Sequence, residues 1–99
     1  MTDERQVYRG QTVSIIYEIK DKDGVLTDLD SSDIILVDGD GSEISSPPDL
    51  VKTATGIYEW NYTVPTDGAY GVWKVLMEGV IGSYTEKQLD AFEVLTDIV

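Results

Sequence analysis

Cysteine and histidine are both missing from this 99-residue chain. Without cysteine no disulfide can staple the fold, so a hydrophobic core must hold it alone. The two absences also remove the usual zinc ligands, the thiolate nucleophile and the side chain most often used to move protons near neutral pH. Basic residues are scarce as well: 7 Lys and Arg stand against 19 Asp and Glu, a net charge of −12. That balance opposes binding to nucleic-acid phosphates or to anionic lipid, so neither is an expected partner. No apolar run approaches the roughly 18 residues of a spanning helix, and the opening Met1 to Gln6 is polar. The expectation is neither a signal-bearing precursor nor a protein inserted in a membrane.

What remains is a chain of one-domain length, 41% apolar, too rich in hydrophobic residues for wholesale disorder. Its pattern is β throughout. From Thr12 to Lys20, Val13, Ile15, Tyr17 and Ile19 alternate with Ser14, Ile16, Glu18 and Lys20, the period of a half-buried strand. A glycine after two aspartates at Asp21 to Gly24 suits a turn that needs positive φ. Val25 to Ser32 reads as a surface connection with Leu26 and Leu29 pinned inward. Ile34 to Val37 is a short apolar strand ended by Asp38 to Ser42, with Glu43 to Ser45 as a brief return. Pro47 and Pro48 break regular structure, and Leu50 to Lys52 is extended before a turn at Thr53 to Gly56.

Gly56 to Met77 is the organising stretch, carrying both tryptophans with Tyr58, Tyr62 and Tyr70. Tyr58, Trp60, Tyr62 and Val64 share one face of the first strand. After a turn at Pro65 to Gly68, Val72 to Glu78 allows two registers, and only one keeps Lys74 out of the core. Burying that lysine unpaired would cost several kcal/mol, which selects Trp73, Val75 and Met77 as the inward set and requires a bulge near Gly71. Gly79 to Gly82 reads as a hairpin, and Ser83 to Leu95 as the last strand with Phe92 and Val94 inward. With an edge strand at Gln6 to Tyr8, the sum is about seven strands and about fourteen inward residues. The fold class is an all-β, antiparallel immunoglobulin-like sandwich with Greek-key connections, a single domain over 1–99 with loose tails at 1–5 and 96–99.

Function is carried more weakly. Asp38, Asp40 and Ser42 take the first, third and fifth places of a calcium-loop pattern, and Asp49 the twelfth. Glu43 occupies the sixth place, where the sharp turn needs glycine, and no helices flank the loop, so a hairpin turn is the expected reading. Asp28 and Asp30, with Asp33 nearby, form a second acidic group. From Asp21 to Asp49 nine acidic residues face only Lys22, read as solvated loops, a response to a salty milieu or an acidic face for a partner. Serines lack a histidine base and no phosphate loop occurs, so no catalytic residue, enzyme activity, cofactor or metal is expected. Carbohydrate could stack only on Tyr8, Tyr70 or Tyr84, whose exposure the pattern leaves open. The sequon Asn61, Tyr62, Thr63 lies inside a strand and is read as chance.

The wording of the chain resembles a known class. Val7 to Thr12 followed by a strand, Asp21 to Gly24 and the Leu29 segment, then Gly56 to Tyr58, Gly71 to Val75, a glycine hairpin and Phe92 to Val94 are similar to small immunoglobulin-like domains of tailed-phage and archaeal-virus structural proteins. Asp67 to Tyr70 also resembles the corner that precedes a core strand in immunoglobulin domains, with Val72 where those domains carry a cysteine. The resemblance implies a virion part of the neck, tail, baseplate or capsid surface, made in the host cytoplasm. It would dock to other virion proteins and to copies of itself through loops and through the sheet edges near Gln6 and Thr96 to Val99. The alternative is a detached cell-surface module that binds a ligand or glycan.

Overall fold

The computed structural model describes residues 5–96. Seven strands form two sheets: β1 (Arg5–Val7), β2 (Thr12–Glu18), β3 (Ser31–Val37), β4 (Val51–Ala54), β5 (Ile57–Thr63), β6 (Gly71–Ile81) and β7 (Tyr84–Val94). One sheet runs in the order β1-β7-β6-β3 and the other β2-β5-β4. The chain passes between the sheets at β1 to β2, β2 to β3, β3 to β4 and β5 to β6, which is the Greek-key wiring of an immunoglobulin-like sandwich. Among the described residues there is no helix.

Alternation decides what goes inside. Fourteen apolar side chains are buried, and no polar or charged residue among those described is. β2 supplies Val13, Ile15 and Tyr17 with Ile19 just beyond it, and β5 supplies Tyr58 and Trp60 with Val64 after it. From the other sheet come Ile34, Leu36, Trp73, Val75, Met77, Phe92 and Val94. The Trp73 register is therefore the one adopted, with Trp73 opposite Phe92 and Lys74 opposite Ala91 on the outer face. Aromatic rings bridge the layers: Trp60 stacks on Tyr62 at 5.5 Å, Tyr62 meets Trp73 at 5.8 Å, and Trp73 meets Phe92 at 5.5 Å. Each indole donates to a loop carbonyl, Trp60 to Pro48 O at 2.8 Å and Trp73 to Ala69 O at 2.9 Å, so the apolar interior takes no unpaired N–H.

Several expectations need correction. Leu26 is 39% exposed. It pairs across a bridge with Lys20, and cross-strand partners point to the same side, so a leucine opposite an outward lysine must face out. Leu29 does pack on the core, and it explains a second correction: Gly79 is not in the hairpin but inside β6. A Cβ there would fall 2.5 Å from Leu29 Cδ2, so glycine makes room for the leucine. The hairpin narrows to Gly82 and Ser83. β3 starts earlier than its apolar run because Ser31, Ser32 and Asp33 pair with Val80, Gly79 and Glu78, ladder pairing overriding poor strand propensity.

Glu43 makes only an isolated bridge to Val37. The register of β6 on β7 is continuous from Gly71 to Ile81; the expected bulge is replaced by a positive φ of 104° at Gly71. β1 lies parallel to β7, the exception to an otherwise antiparallel ladder set. This is possible because β1 leads across to the other sheet and needs no hairpin. Arg5 belongs to that strand and pairs with Asp90 at 3.6 Å, so it is no tail; residues 1–4 and 97–99 lie outside the described set.

Two predictions follow from the core. Trp60 is fully buried, so Trp60→Ala costs about 3–5 kcal/mol, a large part of a stability of about 5–15 kcal/mol. Urea denaturation is expected to show a collapsed midpoint rather than a folded variant with a selective binding defect. Tyr17 is 1% exposed and its Oη has no hydrogen-bond partner among the described residues. Burial first, then the nearby Asp90, push its pKa up, with Arg5 partly opposing. The folded state therefore holds the proton while the unfolded chain releases it near pH 10. Stability is intact below pH 10 and falls above it by about 1.4 kcal/mol per pH unit for this group. Tyr17→Phe is expected to flatten that alkaline decline in thermal melts and to leave stability at pH 7 unchanged or slightly higher.

Candidate functional site

Two of the acidic loops prove to be one motif used twice. In Asp21-Lys22-Asp23-Gly24-Val25 and in Asp38-Gly39-Asp40-Gly41-Ser42, the first aspartate Oδ1 accepts the amides of the third and fifth residues at 2.9 and 3.0 Å. The fourth residue, glycine at φ 82° and 87°, donates back to the first carbonyl. This is a three-residue hairpin loop closed by a glycine in the left-handed region, with an aspartate as its internal acceptor. Asp38 is thus engaged by its own backbone. Asp40 and Ser42 present amides to it, and Asp49 lies beyond the proline pair. Among the described residues no group of three or more acidic side chains is arranged to hold a metal ion.

Asp28 and Asp30 point to different places. Asp28 accepts Lys52 Nζ at 2.7 Å and the Gly56 amide at 2.9 Å; the lysine hydrogen bond foremost, then the Gly56 amide, hold its carboxyl below the usual range. Asp30 accepts the Gly82 amide at 2.7 Å. Between them the Leu29 amide donates to Tyr58 Oη at 2.9 Å. The triplet fastens the β4–β5 turn to the β6–β7 hairpin and closes that end of the sandwich. Asp33 sits on β3 opposite Glu78, away from both.

At the opposite end lies an open cleft of about 540 Å³, rimmed by Arg9, Asp38, Asp40, Asp67, Tyr70 and Trp73. The Arg9 guanidinium carbon stands 3.8 Å from the centre of the Tyr70 ring and its Nη1 donates to Thr66 O at 3.4 Å. That is a cation–π seat. Arg9 forms none of the ion pairs among the described residues. The cleft offers one guanidinium and several carboxylates, a surface for ion pairs and hydrogen bonds to polar groups of a partner. Nearby Tyr62 has its pKa raised, by burial first and by Asp38 second.

Tyr8, Tyr70 and Tyr84 are each a little over one-third exposed. Tyr8 and Tyr70 belong to the cleft end and Tyr84 to the hairpin end, so the three do not form one platform. Arg9 also covers one face of Tyr70. Sequence reading missed the Arg9–Tyr70 pair, because nothing in local spacing links a residue after β1 to one before β6.

No family model matches the chain, and no curated protein matches it. Among solved structures, the Lin-41 filamin domain is similar, with a TM-score of 0.65 at 14% identity over 96% of this chain and 87% of that one. At that identity the likeness carries the fold, an immunoglobulin-like sandwich, and nothing further.

Proposed function

We propose that this chain is a non-enzymatic assembly part: a structural or adaptor subunit of a tailed-virus particle, placed in the neck, tail, baseplate or capsid surface and working by docking to other proteins. The virion setting rests on the sequence resemblance. The docking role is supported by one observation above others, the apolar residues left on the outer faces of the sheets. Ile16, Val51, Val72 and Leu89 are each more than half exposed, although the core is already complete without them. Several acidic groups, by contrast, are spent on internal amides. Apolar side chains left in solvent on the outer faces of the sheets, beside carboxylates already engaged by loop amides, are suited to contact. The net charge of −12 favours partners with basic or neutral surfaces and disfavours the genome itself.

Light scattering of the chain alone and after mixing with capsid, neck and tail proteins encoded beside it tests this reading. A stoichiometric complex with at least one of them is expected. A chain that binds none of them overturns the virion role.

A further inference from the structure

The four-stranded sheet turns an ordered pattern toward solvent. Ile35 on β3 lies opposite Leu76 on β6, and Leu76 lies opposite Leu89 on β7, so three apolar side chains form a row across the sheet. Leu89 is 68% exposed, and Ile35 and Leu76 are half-buried by their neighbours. On one side of this row runs Asp33–Glu78–Lys87, and on the other Val37–Lys74–Ala91. Along β6 the outward residues therefore read Val72, Lys74, Leu76, Glu78, Val80. The series is symmetric in its apolar members about Leu76 and antisymmetric in its charges.

We infer that this face docks a second copy of the same chain, through a two-fold axis passing over Leu76 and running across the strands. Such an axis brings Leu76 onto Leu76 of the other copy, Val72 onto Val80, and Lys74 onto Glu78 twice over. A two-fold interface must be self-complementary, and this row is. The other in-plane axis, along the strands, would set Glu78 on Glu78 and Lys74 on Lys74, so like charges exclude it. Sheets packed face to face cross at about 30°, and a contact centred on one residue tolerates that rotation best near its centre.

Charge singles out this face further. In a chain of net −12, the two flanking rows hold Asp33 and Glu78 against Lys74 and Lys87, a balance of zero, and Glu93 opposite Val72 in the outermost row brings the face only to −1. Lys74 forms none of the ion pairs among the described residues, while Glu78 has Lys87 at 3.7 Å. On the other sheet Ile16 and Val51 are parted by Glu59, their shared cross-strand neighbour, so apposed copies there would bring carboxylates together.

The inference rests on reading the chain as an assembly part, and sedimentation velocity on the purified chain separates the two. A dimer is expected at high micromolar concentration. Leu89→Arg, at an exposed position, is expected to give a folded monomer by circular dichroism and sedimentation. Lys74→Glu and Glu78→Lys are each expected to weaken the dimer by about tenfold or more, about 1.4 kcal/mol. The double variant Lys74→Glu/Glu78→Lys restores it. Residues 74 and 78 stand about 13 Å apart along one strand, so restoration reports a contact between copies. A monomeric wild type, a dimer untouched by Leu89→Arg, or a double variant as weak as the singles overturns the inference. A monomeric wild type that still binds a virion protein leaves the assembly role standing.

Discussion

The contact on which everything else depends is the line of rings from Trp60 through Tyr62 and Trp73 to Phe92. The two sheets are joined by side chains rather than by ladder hydrogen bonds, and this line crosses from β5 to β6 and β7. Large rings fill much of the space between the layers in a chain with no disulfide to assist. They also dictate the loops. An indole can enter such a core only if its N–H finds an acceptor, and here the acceptors are Pro48 O and Ala69 O. The proline pair after β3 and the corner before β6 are therefore seated by the core. The cleft rimmed by Trp73, Arg9 and Tyr70 is a consequence of that seating.

The acidic residues need a similar change of view. A run of aspartates invites a reading as a metal loop or a uniform negative surface. In the fold, Asp21 and Asp38 are acceptors inside matching hairpin loops, and Asp28 and Asp30 tie turns together. A carboxylate that accepts backbone amides replaces hydrogen bonds a tight loop cannot make for itself. The charge is real and acts at long range, keeping copies apart on most surfaces.

Most of the core was legible in the sequence because period-two alternation is a local property. Val13, Ile15, Tyr17 and Ile19 could be assigned inward from nine residues, and the cost of burying Lys74 was enough to choose between two registers of β6. What failed depended on partners far away in the chain. Gly79 looked like a turn because nothing near it in sequence shows that Leu29 needs the space. Ser31 and Ser32 looked like loop because their strand character comes from β6. Leu26 looked buried until its partner was known to be Lys20. The outer row of Ile35, Leu76 and Leu89 was invisible for the same reason, since it requires the alignment of three strands at once.

Strand β6 shows how these levels meet. Its inward residues Trp73, Val75 and Met77 complete the core, and its outward residues Val72, Lys74, Leu76, Glu78 and Val80 carry the symmetric pattern. Because successive side chains point to opposite faces, a slip of one residue would exchange the two sets. It would bury Lys74 and Glu78 and expose Trp73. The penalty that keeps the ammonium out of the interior is thus the same one that places it on the outer face, four residues from its opposite charge and two from the leucine between them. Stability and surface pattern are specified by a single choice of register. Within that register either face can vary by substitution without disturbing the other, which is how one small sandwich can keep its core while its surface adapts to what it meets.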